Sequence, residues 1–371
     1  MEKYNLLTDG RAAFNEILRL CALARSSIQV NMFLWRDDET GNALARALLH
    51  AADRGVQVLI SKDRFGGSYE RAEESGQSFW NKSPDPLDRM ASFALKWAMP
   101  SDKRISPRRQ LPNELAVALR RHPNVEVDAS RYKFDHTKYY IFDGKTLIFG
   151  GINVEDKEVG SDISGAKYHD FMVEVCSEDE VRWFRNRLSE KEKYDPNRPM
   201  DYIFNGRVRG RYRNGVRPGY LDFIRSAEQS LCVMMPYIGE RRMGRALLQA
   251  SRRGVDITFL IPLRANMQQD YNMLSAMILQ RRSGGKIRFY LTPLMCHAKL
   301  MTADRNRVTL GSANLNRDGT SRGRQLNCVS REPALAAAAQ QDFDETLAGA
   351  ALCTNFEFSS LLAHLEGLFQ G

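Results

Sequence analysis

One string of polar residues occurs twice in this 371-residue chain. The first copy is His136-Thr137-Lys138, then Asp143, Gly150-Gly151 and Asn153. The second is His297-Ala298-Lys299, then Asp304, Gly311-Ser312 and Asn314, and every offset from the histidine is the same in both. A duplicated string this close constrains the fold, because each half has to build the same local scaffold around its own copy. It also supplies two imidazoles, two ammonium groups and two carboxamides. That set suits displacement at a phosphodiester, with one histidine as nucleophile and the other as acid.

The sequence around the two copies repeats as well. Residues 11–25 carry apolar groups at helical spacing, Ser27 to Trp35 alternate like a strand, Gly41 to Ala52 return to a helical pattern closed by Arg54-Gly55, and Val56 to Ile60 form a second strand. Further on, Tyr220 to Glu228 read as helix and Leu231 to Met235 as strand. Met243 to Arg252 read as helix ended by Arg253-Gly254, and Val255 to Ile261 as strand. Alternation of this kind predicts an α/β fold with a mixed, mostly parallel sheet flanked by helices in each of two pseudo-symmetric halves, 1–195 and 196–371. The charged, proline-bearing stretch Glu190 to Pro199 reads as the join. The arginine run that follows (Arg207, Arg209, Arg211, Arg213, Arg217) reads as a solvated connection or a phosphate-binding loop. A segment from about Arg64 to Arg109 has no counterpart of equal length in the second half. In it Leu87, Met90, Phe93, Ala94 and Trp97 share one helical face, with Lys96, Asp102, Lys103 and Arg104 nearby, which suits either a capping core helix or a helix lying in a membrane interface.

In an extended segment His136 and Lys138, two residues apart, point to one face and reach one site together; His297 and Lys299 do the same. Asp143-Gly144 reads as a two-residue hairpin turn, and Asp304 to Asn306 as another. Both motif aspartates are therefore expected to serve the turn or a local hydrogen bond. Gly150, Gly151, Gly311 and Ser312 are expected to bind substrate, their small side chains letting a ligand approach backbone N–H groups. Asn153 and Asn314 are placed to donate to phosphate oxygens. His50, His122 and His364 read as structural, and His169 as facing away from the site.

The formal net charge of +9 favours an anionic partner: phospholipid headgroups, nucleic acid or a phosphate ester. No stretch reaches the roughly 18 consecutive apolar residues of a membrane span, and the N-terminus lacks a basic-then-apolar leader pattern. The expected location is the cytoplasm, peripheral at the membrane surface. The six cysteines form no CxxC pair, and neither a metal site nor a cofactor is indicated.

The duplicated HxKx₄D string followed by G(G/S)xN resembles the phospholipase D superfamily. Ala52-Asp53-Arg54-Gly55-Val56 and Ser251-Arg252-Arg253-Gly254-Val255 also resemble it, and the Gly150-Gly151-Ile152-Asn153 string is most similar to bacterial cardiolipin synthases and related phospholipase D-like proteins. The resemblance implies that the two HxK elements meet at the interface of the halves and that the reaction passes through a phosphohistidine without a metal. It further implies that Lys138, Lys299, Asn153 and Asn314 hold the non-bridging oxygens. In the family an acidic residue on a later strand orients each histidine. Asp170 matches that place in the first half, whereas the second half has Gln325. On this basis His136, paired with Asp170, is expected as nucleophile and His297 as acid. The expected activity is phosphatidyl transfer between phospholipids, cardiolipin synthase-like, or hydrolysis when water accepts. Met267, Tyr271, Met273, Met277 and Ile278 are candidates to line an acyl groove or to belong to the core. A nuclease of the same superfamily is the alternative, although the simple nuclease type carries one HxK copy per chain and dimerises. A silent lipid- or nucleic-acid-binding member is the third reading. The sequence gives no oligomeric state.

Overall fold

The computed structural model describes residues 3–72, 78–81, 84–98, 112–160, 167–208 and 211–370. Contacts divide the chain into two compact units, one built on Leu7–Trp183 and the other on Phe184–Gly371.

In the first unit the helix Gly10–Leu23 starts at Asp9, whose carboxylate accepts the N–H of Ala12, and buries Phe14, Ile17 and Leu20. The strand Ser27–Met32 follows, then the helix Glu39–Asp53, capped by Asp38 and closed at Gly55 with φ +91°, where a side chain would be strained. The sheet order continues Met172–Cys176, Thr146–Gly150, Lys138–Phe142, Ser27–Met32, Gln57–Lys62, Val125–Asp128. Ile28 and Val30 face helix residues Leu44, Ala45 and Leu48 in one apolar core.

The second unit repeats this plan: the helix Val216–Arg225, the strand Ser230–Met234, the helix Arg241–Arg252 capped by Glu240, a turn at Gly254 with φ +97°, and the strand Asp256–Pro262. Its sheet includes Met200–Val208, Gln325–Ser330, Arg307–Gly311, Leu300–Ala303, Ser230–Met234, Asp256–Pro262 and Ile287–Thr292, in that order.

Both sheets are mixed, but antiparallel pairs outnumber parallel ones. Strands linked through helices pair parallel: Ser27–Met32 with Gln57–Lys62, and Ser230–Met234 with Asp256–Pro262. Each HxK strand belongs to a tight hairpin, which has to be antiparallel, and the next strand extends it in the same sense. The hairpins are legible from their turns, but the alternation of helix and strand upstream conceals how much of each sheet is antiparallel.

Part of the arginine run lies in strands. Met200–Val208 and Arg211–Asn214 form an antiparallel hairpin, and Arg211 and Arg213 stand exposed on its outer strand. The segment after Lys62 contributes the helices Gly66–Ala72 and Pro86–Ala98. A fully buried ion pair, Lys62 Nζ to Glu70 Oε1 at 2.8 Å, fixes the first of these to its strand. Asp102, Lys103, Arg104 and Arg209 lie outside the described residues, as do the side chains of Lys96, Trp97 and Arg207.

Candidate active site

In the first unit His136 leads directly into the strand Lys138–Phe142. Its ring lies edge-on to Phe33, with centroids 4.8 Å apart. Lys138 is fully buried, donates from Nζ to the carbonyl of His136 at 2.8 Å, and sits 5.3 Å from the Phe33 ring centroid. A short polar network holds this stretch. Asp135 accepts from the N–H and hydroxyl of Thr137, and Asn31 donates to the Thr137 carbonyl and Oγ1. Asp63 accepts the N–H groups of Asp135, Lys133 and Phe65. Burial raises the Asp63 carboxyl against the pull of those three donors.

The second unit builds the same arrangement on an apolar support, with Cys296 and Ala298 buried either side of His297. Lys299 is buried and donates from Nζ to the carbonyl of His297. Each lysine is thus folded onto the backbone of its own histidine.

The motif aspartates have identical tasks. Asp143 and Gly144 both have positive φ (+52° and +66°), the conformation of a tight hairpin turn, and Asp304 and Arg305 repeat it at +52° and +58°. The Asp143 carboxylate accepts the N–H groups of Arg25, Ser26 and Ser27 and the hydroxyl of Ser26. Asp304 accepts those of Glu228, Gln229 and Ser230, and pairs with Arg307 at 2.8 Å. Burial acts to raise both carboxyls, but these donors outweigh it and hold both below the usual carboxylate range. Each aspartate ties its hairpin to the start of the neighbouring strand.

Three of the small residues after the hairpins engage their backbone N–H groups within the sheet. The N–H of Gly151 bonds to the carbonyl of Phe171, that of Ser312 to Leu326, and that of Gly311 to Lys299. These three donors are spent on backbone carbonyls of the sheet. The glycines are required by the next strand: a Cβ on Gly150 would stand 2.2 Å from the Phe171 carbonyl oxygen, and one on Gly311 would stand 2.1 Å from that of Leu326.

At the neighbouring position the copies diverge as a matched pair. The Asp170 carboxylate lies against Gly151 so closely that a Cβ there would be 2.3 Å from Oδ2. In the second copy Ser312 occupies the place of Gly151 and Gln325 that of Asp170. The Ser312 hydroxyl donates to Gln325 Oε1 at 2.8 Å and accepts the N–H of Leu326 at 3.0 Å. Asp170 and Gln325 are both buried.

The asparagines also differ. Asn153 accepts the N–H of Leu34 at 3.3 Å and donates from Nδ2 to Glu158 Oε1 at 3.1 Å. Asn314 leaves Oδ1 buried with no hydrogen-bond partner among the described residues. Behind it, Tyr220 donates to the Ala313 carbonyl at 2.6 Å, while Asn327 donates to the Tyr220 hydroxyl and accepts the N–H of Ala313. Glu158, Phe33, Tyr220 and Asn327 escape sequence reasoning because no repeat marks them; an acid five residues after Asn153 is the one available signal.

Other candidates fall away from this geometry. Burial pushes the Cys21 and Cys328 thiols up to about 12, so they act as neutral packing groups. His122 ends the helix Glu114–Arg121 and accepts the N–H of Asn124, and His50 and His364 are exposed. Of the residues considered for an acyl groove, Tyr271 and Ile278 line a cavity of about 360 Å³ in the second unit, while Met273 is core.

The chain is similar to known proteins in sequence and in fold. A family model described as cardiolipin synthase, PLD-like domain, matches residues 17–191 and 220–347. Cardiolipin synthase A of Pseudomonas entomophila is 26% identical over 367 residues, covering 92% of this chain and 68% of that protein. The major cardiolipin synthase ClsA of Bacillus subtilis is 22% identical over 333 residues, covering 84% of this chain. The chain spans about two thirds or less of the length of these relatives, 62% in the Bacillus case. Among solved structures, phosphatidylserine synthase from Haemophilus influenzae is similar in fold, with a TM-score of 0.68 at 11% identity over 99% of this chain and 92% of that one. Polyphosphate kinase from Porphyromonas gingivalis has a TM-score of 0.57 at 12% identity, covering 99% of this chain and 52% of that one.

Proposed function

The chain belongs to the cardiolipin synthase, PLD-like domain family, and on that footing we propose that it transfers the phosphatidyl group of one phospholipid to a second alcohol. One HxK element from each half, 1–195 and 196–371, serves a single phosphorus. An imidazole nitrogen attacks that phosphorus, the bond to the leaving alcohol breaks, and the other imidazole protonates the departing alkoxide. That second imidazole then takes the proton of the incoming alcohol, whose oxygen displaces histidine and restores the enzyme. With phosphatidylglycerol as donor and acceptor the product is cardiolipin; with water it is phosphatidic acid.

Lys138 and Lys299 supply positive charge to the non-bridging oxygens of the transition state. Asn314 offers its side-chain amide to the same oxygens. Asn153 has two amide hydrogens, and one serves Glu158 while the other is directed to phosphate. A carboxylate at Asp170 and a carboxamide at Gln325 make the two histidines chemically unequal, and the one backed by the carboxylate is the better nucleophile. The histidine backed by the Asp170 carboxylate is the nucleophile and the other the acid, and trapping the phosphoryl label on one of the two rings identifies which.

The observation that carries this reading is the twofold occurrence of a histidine whose carbonyl holds a buried lysine. Association with the membrane surface is part of the proposal; among the described residues no helix is long and apolar enough to cross a bilayer. The test incubates the protein with phosphatidylglycerol vesicles and, separately, with DNA, beside His136→Ala and His297→Ala. Headgroup exchange lost in both variants supports transfer. Histidine-dependent strand scission without exchange refutes it in favour of a nuclease, and binding without turnover refutes catalysis.

A further inference from the structure

The helix Pro86–Ala98 is amphipathic in the reverse sense to a core helix. Its buried face is polar. Asp88 is fully buried and accepts from Arg64 at 2.8 Å and from the Tyr132 hydroxyl at 2.6 Å, with Arg71 at 3.4 Å. Ser92 donates to the Asp88 carbonyl, and Arg71 reaches Ser92. The face turned outward is apolar: Leu87, Met90 and Phe93 are 55%, 65% and 66% exposed. A soluble surface rarely leaves such a stripe uncovered, and here an ion-pair cluster attaches the helix with that stripe turned to solvent.

A second exposed aromatic lies two residues from Tyr132, whose hydroxyl bonds to Asp88 on this helix. Phe134, 55% exposed and held at φ +51°, follows Tyr132 in the loop leading to His136. From Phe134 a run of ring contacts leads inward: Phe65 at 4.9 Å, Tyr69 at 5.5 Å from Phe65, Phe33 at 5.4 Å from Tyr69, and His136 at 4.8 Å from Phe33. The acid of the helix is neutralised by Arg64 and Arg71, while Arg89, on the same helix, and Arg131, which lies in the loop before Tyr132 and pairs with Asp128 at 3.7 Å, are exposed. Apolar side chains flanked by exposed cations fit the interface of an anionic bilayer.

We infer that Leu87, Met90, Phe93 and Phe134 form the surface by which this chain lies on an anionic phospholipid bilayer, with the aromatic run guiding a lipid from that surface to His136. The inference rests on the phospholipid reading of the site. Its test separates the two, because binding is read without turnover. His136→Ala protein is floated with vesicles of phosphatidylglycerol and phosphatidylcholine, beside the same protein carrying Leu87→Ser, Met90→Ser and Phe93→Ser. A drop in vesicle partition of at least tenfold is expected, with unchanged thermal unfolding. In a separate Phe93→Trp variant, brominated acyl chains quench the new fluorescence above the background of the four native tryptophans. With His136 restored, the triple variant keeps its turnover on short-chain phospholipid below its micelle concentration and loses it on vesicles. Equal partition of the triple variant, or fluorescence of the introduced tryptophan that bromine leaves unchanged, overturns the inference. So does a wild-type dimer that the three serines dissociate without affecting vesicle binding, since the stripe would then cover a second copy.

Discussion

Adjacent glycines in the first motif predict opposite outcomes for the same substitution. In Gly150→Ala the new Cβ meets fixed backbone, 2.2 Å from the Phe171 carbonyl oxygen and 2.7 Å from the Met172 Cα. The strand has to move, and overpacking of this kind costs about 1–3 kcal/mol. For a unit of this size that is a loss of roughly 2–4 °C in Tm per kcal/mol. In Gly151→Ala the Cβ meets the Asp170 carboxylate, 2.3 Å from Oδ2 and 2.4 Å from Oδ1, and a side chain can swing aside where backbone cannot. Stability is then nearly kept, but Asp170 leaves its place. Losing a hydrogen bond to a charged group costs about 1.5–3 kcal/mol, which at 1.36 kcal/mol per tenfold lowers kcat by roughly 10- to 150-fold. The assay pairs thermal unfolding by circular dichroism with turnover of phosphatidylglycerol vesicles and of a chromogenic phosphodiester. Full activity in Gly151→Ala would refute the role given to Asp170. A Tm loss in Gly151→Ala equal to that in Gly150→Ala would refute the division between backbone and side-chain clash.

Replacing Gln325 by Glu places a carboxylate where Ser312 already donates; an apparent pKa in the kcat/KM profile should rise by about one unit or more, and an unmoved profile counts against Gln325 as a histidine partner. Asp143→Asn and Asp304→Asn should each lower Tm by about 2–4 °C at pH 7. Because both carboxyls lie below their usual range in the folded chain, their stabilisation is present above the ordinary carboxylate pKa. It is lost as pH falls through the folded value, so unfolding curves of variant and wild type should converge in acid. Asp38 behaves in the opposite sense. Burial raises it to about 7, against the N–H groups of Gly41 and Asp156 and with the nearby carboxylates of Asp156 and Glu155. Its favourable contribution is complete below about pH 4, the ordinary carboxylate range, and is lost as pH rises through about 7. Asp38→Asn, which can still cap the helix, should therefore gain in Tm relative to wild type between about pH 4 and 8, and a flat difference would contradict the assignment.

Much of this organisation is legible in the sequence because it is periodic or repeated. The helix and strand from Glu39 to Lys62, and their counterparts from Arg241 to Pro262, follow from apolar spacing and a closing glycine. The hairpin turns follow from Asp143-Gly144 and its counterpart. The antiparallel half of each sheet is harder to read, since local patterns do not state which strand a hairpin joins. The roles of Gly150 and Gly311 are hidden for a related reason. A missing side chain looks the same in sequence whether a ligand or a neighbouring strand fills the space, and here the carbonyls of Phe171 and Leu326 fill it. Glu158 and Asn327 act across turns and strands, where no spacing rule reaches them.

The matched divergence of Gly151 with Asp170 and of Ser312 with Gln325 restricts which changes this chain can accept. Each pair is one setting of a two-part lock: the larger partner on one strand is admitted by what stands opposite. Exchanging a single member jams the lock or leaves it loose, so neither half can drift toward the other by one step. A double exchange of both pairs would hand the carboxylate to the opposite half while leaving each lock fitted to its key.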